Sequence, residues 1–174
     1  MTSSQGVENG KLFYLDDLHI GQRFVSRIHE LDAEQIRVFA SKFDPQPFHL
    51  DPEAARATLF GGLAASGWHT AAITQRLQVD GGLPLAGGII GAGGMIEWPN
   101  PTRPGDVLRV ESEVVEITPS RSRPNRGIVT VSSRTLNQRD EVVQNLRAKL
   151  VVHRRAAESA EQKAGSTPRA SAVL

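Results

Sequence analysis

Ser66-Gly67-Trp68-His69-Thr70-Ala71-Ala72-Ile73-Thr74-Gln75-Arg76-Leu77-Gln78-Val79 is the stretch on which the fold turns. Trp68, Ala71, Ala72, Ile73, Leu77 and Val79 leave few positions polar, and a helix apolar nearly all round is usually a buried one. Asp80-Gly81-Gly82 stops it. Downstream the pattern changes: 88–98, 106–118, 126–137 and 141–153 are long segments rich in Val, Ile and Thr. Val129, Val131 and Ser133, then Val143, Leu146, Ala148, Leu150 and Val152, show partial alternation with period two. Asn137-Gln138-Arg139-Asp140 reads as a hairpin turn and 119–125 as a longer connection. Gly91, Gly93 and Gly94 inside a strand mark a bulge or the close approach of another backbone. Four long antiparallel strands after one buried helix predict an α+β fold, a curved sheet wrapped around that helix.

Upstream of the helix, 23–29 has the composition of a strand. Asp32 is a plausible N-cap, with Ile36, Phe39, Ala40 and Phe43 at helical spacing behind it, so a helix runs to Asp44. Asp51-Pro52-Glu53 combines an N-cap, a proline at the first helical position and an acid in the first turn, which predicts a short helix over 52–58. Phe60-Gly61-Gly62 breaks it. Residues 1–11 and 156–174 have little to bury and are expected to be disordered, flanking one domain over 12–155.

Composition narrows the function classes. The 174 residues suit one domain, and 39% hydrophobic with 22% charged residues is ordinary for a soluble globular protein. A net charge of +1 and 5% aromatic residues disfavour a nucleic-acid partner or an anionic membrane surface. The absence of cysteine removes disulfides, thiol nucleophiles and Cys-based metal sites. No apolar run opens the chain and none reaches transmembrane length, so a cytoplasmic location is expected. No His/Asp/Glu cluster has metal-ligand spacing.

Asp44-Pro45-Gln46-Pro47-Phe48-His49 carries the strongest chemical signal. Pro47 forbids one regular helix from holding both Asp44 and His49, and the two prolines stiffen the segment. A stiff segment can hold a carboxylate and an imidazole over one shared point, the geometry that general acid–base chemistry needs first. The glycine eighteen positions after His49, Gly67, opens the apolar helix.

Three motifs then converge on a family. Asp44-Pro45-Gln46-Pro47-Phe48-His49 resembles the D-x-N-P-x-H signature of the MaoC-like, (R)-specific enoyl-CoA hydratases, with Gln46 where the family usually has Asn. The segment 59–67 is similar to the one leading into their central helix, and 98–106, with Arg103-Pro104-Gly105-Asp106, resembles their P-V-R-P-G-D turn. The resemblance covers about 14–154. It implies a hot-dog fold, assembly as a homodimer or higher homo-oligomer through edge-to-edge sheet pairing, and water addition to a 2-enoyl-CoA or its elimination from a 3-hydroxyacyl-CoA. The coenzyme A thioester is then the substrate, and no further cofactor or metal is expected. On that reading Asp44 and His49 share the catalytic water. Gly67 N–H is the family's oxyanion donor, with Ser66 beside it at the helix opening, where backbone N–H groups and the helix dipole face outward. The missing Cβ of Gly67 would let a thioester carbonyl approach; the other reading is a tight helix entry that needs glycine for steric reasons alone.

Other residues carry weaker signals. His69 reads as a hydrogen-bonded core or interface residue rather than a catalyst, and Trp68 as core rather than a substrate wall. His19, His29 and His153 have no acid at ligand spacing. Arg121, Arg123 and Arg103 read as surface residues, with contact to coenzyme A phosphates as the functional alternative. Two competing functions remain. A hot-dog thioesterase would place an acid on the central helix, where this chain has none from Gly67 to Val79. A non-catalytic thioester-binding partner subunit would be expected to lose one of Asp44, His49 and Gly67, which are all intact.

Overall fold

The expected strands form where the valines and isoleucines alternate, and four of them make most of one antiparallel sheet. The computed structural model describes residues 10–156, so most of the terminal segments expected to be disordered lies outside the described residues. Strands β1 (Arg23–Val25), β2 (His29–Glu30), β3 (Ile90–Glu97), β4 (Val107–Pro119), β5 (Arg126–Leu136) and β6 (Val142–His153) lie in the order β1-β4-β5-β6-β3, with β2 also on β4. Helices α1 (Ala33–Phe43), α2 (Pro47–Leu50), α3 (Pro52–Arg56) and α4 (Gly67–Leu77) fall between β2 and β3. α4 gives way to a turn over Gln78–Gly82, where Asp80 and Gly81 leave helical geometry. A six-stranded antiparallel sheet around one long helix is the hot-dog fold.

Local chemistry explains the boundaries. The Asp32 carboxylate accepts from Gln35 N–H at 2.8 Å and starts α1. Asp51 accepts from Glu53 N–H at 2.8 Å and starts α3, with Pro52 at its first position. The β5–β6 turn closes on Asn137, whose side-chain oxygen accepts from Arg139 and Glu141 N–H, while Asp140 takes a left-handed φ of 62° that aspartate tolerates. The single strand expected at 23–29 is instead two short ones. Ser26 Oγ accepts Val110 N–H at 2.9 Å in place of a backbone carbonyl, and the ladder is interrupted there. Both readings of the β3 glycines hold. The register shifts between Gly91 and Gly94, and a Cβ on Gly94 would lie 2.7 Å from the Arg147 carbonyl oxygen.

The central helix departs from expectation. Trp68 is 61% exposed and Ala72 and Val79 face solvent, so the apolar residues do not surround the helix with buried contacts. Thr70, Thr74 and Gln78, four residues apart, join Ile73 and Leu77 on the buried side. The sheet supplies their partners. Thr74 Oγ1 lies 2.6 Å from Thr135 Oγ1 and accepts from Gln144 Nε2 at 3.0 Å, and Gln78 Nε2 donates to Ser133 Oγ at 3.0 Å. Thr70 Oγ1 donates to Thr102 Oγ1 at 2.9 Å. Buried polar groups are tolerable because they are paired.

Candidate active site

Asp44 is the C-cap of α1, where its N–H donates to Ala40 O at 2.9 Å. Pro47 then starts a new turn, α2, and His49 sits on it, so the two groups belong to different elements. His49 is buried, and its Nδ1 lies 2.7 Å from the Ala64 carbonyl oxygen. A carbonyl only accepts, so Nδ1 carries the hydrogen and Nε2 is left facing Asp44 Oδ2 at 3.4 Å. Ala64 N–H donates back to Phe48 O at 3.3 Å, which locks α2 to the segment before α4.

Ser66 is the N-cap of α4. Its Oγ accepts from Trp68 N–H at 3.2 Å and donates to Asp44 Oδ2 at 2.6 Å. Gln46 Nε2 donates to the other oxygen, Oδ1, at 2.7 Å, so the longer amide makes a bond to the carboxylate. Burial acts to raise the Asp44 pKa, but the bonds from Ser66 and Gln46, with the neighbouring His49, outweigh it and hold the carboxyl below its ordinary 3.8. Asp44 is therefore a carboxylate at neutral pH.

Gly67 follows Ser66 directly, and its N–H has no acceptor among the described residues. The space its missing Cβ leaves is not open, however. A Cβ there would lie 2.7 Å from Cδ2 and Cε2 of Trp98, so the indole already occupies that side of the glycine. The steric need for glycine comes from the Trp98 ring rather than from an approaching thioester.

Asp44, His49, Ser66 and Gly67 thus come together, and the three arginines do not join them. Arg103 turns inward, its guanidinium donating to the carbonyls of Phe60, Gly62 and Leu63. Those bonds commit it to the segment that carries Ala64, so it is not the free surface residue expected. Arg121 and Arg123 are exposed in the β4–β5 connection. Roughly 30 Å of strand separates that end of β4 from the end under α4, so within the chain neither reaches the site.

His69 is buried as expected, stacked flat on Phe39 with ring centroids 4.5 Å apart. Burial, with His29 nearby, lowers its pKa to about 4, and the hydrogen bond expected of it is not seen at Nδ1, which has no partner among the described residues. Trp68, expected in the core, instead meets Trp98 edge-to-face at 5.4 Å on the exposed side of α4. Trp98 and the Ala64 carbonyl are the contributors that sequence reasoning missed. The motif at 98–106 contains Trp98, but nothing in its spelling shows that the ring returns to Gly67.

Residues 18–137 match the MaoC-like domain family, and the chain belongs to it. The solved structure of a MaoC-like dehydratase from Rhodospirillum rubrum is similar, with 66% identity and a TM-score of 0.82 over 83% of this chain and 99% of that one. YdeM, an uncharacterized protein of Bacillus subtilis (strain 168), is 35% identical over 128 residues, 72% of this chain and 89% of its own length. A 3-hydroxybutyryl-CoA dehydratase of Methylorubrum extorquens is 30% identical over 115 residues, 65% of this chain and 71% of its own length. Membership supports hydro-lyase activity of the hydratase–dehydratase kind. No helix among the described residues is long and apolar enough to cross a membrane.

Proposed function

We propose that the protein reversibly adds water to a 2-enoyl-CoA, giving a 3-hydroxyacyl-CoA. The observation that carries this reading is the convergence of Asp44 Oδ2 on His49 Nε2 (3.4 Å) and Ser66 Oγ (2.6 Å) beside the N-terminus of α4. Asp44, kept ionised by its two donors, holds the water. His49, whose Nδ1 hydrogen is committed to Ala64, offers Nε2 as the proton acceptor. The water oxygen bonds to the β-carbon and the C=C electrons move to the thioester oxygen. Gly67 N–H, reinforced by the helix dipole, receives the charge that develops there. The imidazolium formed beside Asp44 then gives its proton to the α-carbon, and both groups end as they began. No cofactor enters these steps.

The same reading includes a homodimer. β3 ends the sheet, and nearly all its residues are exposed, Ile90 and Met95 included. An apolar unpaired edge invites pairing. Sedimentation should give a dimer or larger at micromolar concentration, and a monomer would count against this part.

The direct test is a panel of 2-enoyl-CoA thioesters of increasing chain length, followed by loss of absorbance of the conjugated thioester. Hydration of at least one is expected. Inertness towards all of them, with hydrolysis of the thioester instead, would replace the reading with a thioesterase.

A further inference from the structure

We infer that Trp98 is the specificity-determining wall of the thioester site, excluding bulk on the carbon next to the thioester carbonyl, and that Gln144 is its positioning residue. The inference rests on the proposed acyl-thioester reading and adds the class of acyl group accepted. In a helix the Cα–Cβ bonds tilt towards the N-terminus, the direction in which the first N–H groups also point. The indole fills the place of the Gly67 Cβ, so it packs against the first residue of α4, whose N–H has no acceptor among the described residues. Asp44 and Ser66 contact each other at the same helix opening. A carbonyl held by that N–H has the ring beside it, leaving room for a slim acyl group and little for a branch at the α-carbon.

A wall discriminates only if it cannot swing away. Trp98 is 39% exposed, yet its ring is held on three sides. One side packs on Gly67, Trp68 meets it edge-on, and its Nε1 donates to Gln144 Oε1 at 2.9 Å. Gln144 is fully buried at 0% exposure, and its Nε2 donates to Thr74 Oγ1, which lies against Thr135 Oγ1. The side-chain amide therefore cannot rotate without leaving buried donors and acceptors unpaired. The same pairs that suit a polar central helix to its sheet also fix the indole.

The test uses saturated thioesters that cannot be hydrated. Butyryl-CoA and 2-methylbutyryl-CoA are titrated calorimetrically into the wild type, Trp98→Ala, Trp98→Leu, Trp98→Phe and Gln144→Met. The wild type should prefer the unbranched thioester by about 10- to 200-fold, the range expected for one carbon in a tight pocket. Trp98→Ala and Trp98→Leu should erase most of that preference by binding the branched thioester more tightly. Trp98→Phe, which keeps a ring without its N–H, and Gln144→Met, which keeps length without the acceptor, should fall between. If Trp98→Ala does not fold, Trp98→Leu decides. An unchanged preference in the smaller-residue variant overturns the inference, as does a wild type that binds both thioesters equally or binds neither. Selective binding without any turnover of enoyl-CoA would instead sink the hydratase reading and leave the wall in place.

Discussion

The sheet covers two apolar clusters of nine buried residues each, and they differ in what rests on them. One joins Leu15, Leu18, Leu83 and Leu85 to Val114, Val129, Val131, Leu150 and Val152. The other seats Leu31, Ile36, Leu63, Ala65, Ile73 and Leu77 on Leu108, Val110 and Val143. Only the second includes α1, α4 and the segment around Ala64, the pieces that hold Asp44, Ser66 and His49. Buried hydroxyls and amides, Thr74, Gln78, Ser112, Ser133, Thr135 and Gln144, accompany them on the inner face of sheet and helix. Both clusters stabilise the fold, but errors in the second should also move reactive atoms.

The largest effects should come from the site above the second cluster. Asp44→Asn and His49→Ala should each lower kcat/KM by about 10²- to 10⁴-fold, as loss of a general acid or base does. Asp44→Asn should leave the melting temperature close to wild type. Near-normal turnover in both variants would remove the proposed chemistry. The clusters themselves are compared by Leu63→Ala and Leu150→Ala, each expected to cost about 2 to 5 kcal/mol in denaturant unfolding. Leu63 precedes the carbonyl that orients His49, so its loss should also reduce turnover per folded molecule, by on the order of ten- to a hundredfold. Leu150→Ala should not. Equal activity losses in the two variants would erase the distinction.

A smaller effect is expected at the helix opening. Gly67→Ala pushes a methyl into Trp98 and should cost about 1 to 3 kcal/mol, the usual range for overpacking. In a Trp98→Leu background the cost should shrink, and a double-mutant cycle reads the coupling. Undiminished cost there would mean that the ring is not the obstacle.

The smallest effect is a pH dependence. His69 titrates near 6.5 when unfolded and at about 4 when folded, so the unfolded chain takes up the proton first. Its contribution is complete above pH 6.5, is lost as pH falls, and levels off near 4. Roughly 1 to 2 kcal/mol should disappear between pH 6.5 and 5, and His69→Phe should remove that part of the slope. An identical slope in the variant would assign the titration elsewhere.

Much of this was legible in the chain. The four long strands fall within about two residues of their expected bounds, because period-two alternation faces one side of a sheet. The segment 44–49 could be read because two prolines leave few backbone choices. The inner face of α4 was misread, since hydropathy favours Trp68 and Val79 over Thr70 and Thr74 and cannot know that Thr135 and Gln144 wait opposite. Arg103, expected at the surface, is half-buried for a related reason. An arginine on a turn has the same spelling whether it meets a phosphate or the carbonyls of Phe60, Gly62 and Leu63. Trp98 lies thirty-one positions from Gly67, and no local pattern joins them.

The contact between Trp68 and Trp98 has an optical consequence. The chain contains only these two tryptophans, and both lie beside Gly67. All indole emission therefore originates at the mouth of the proposed site. Edge-to-face at 5.4 Å, the two rings are close enough for their electronic transitions to couple. Fluorescence and near-ultraviolet dichroism should thus follow occupancy there with no label attached.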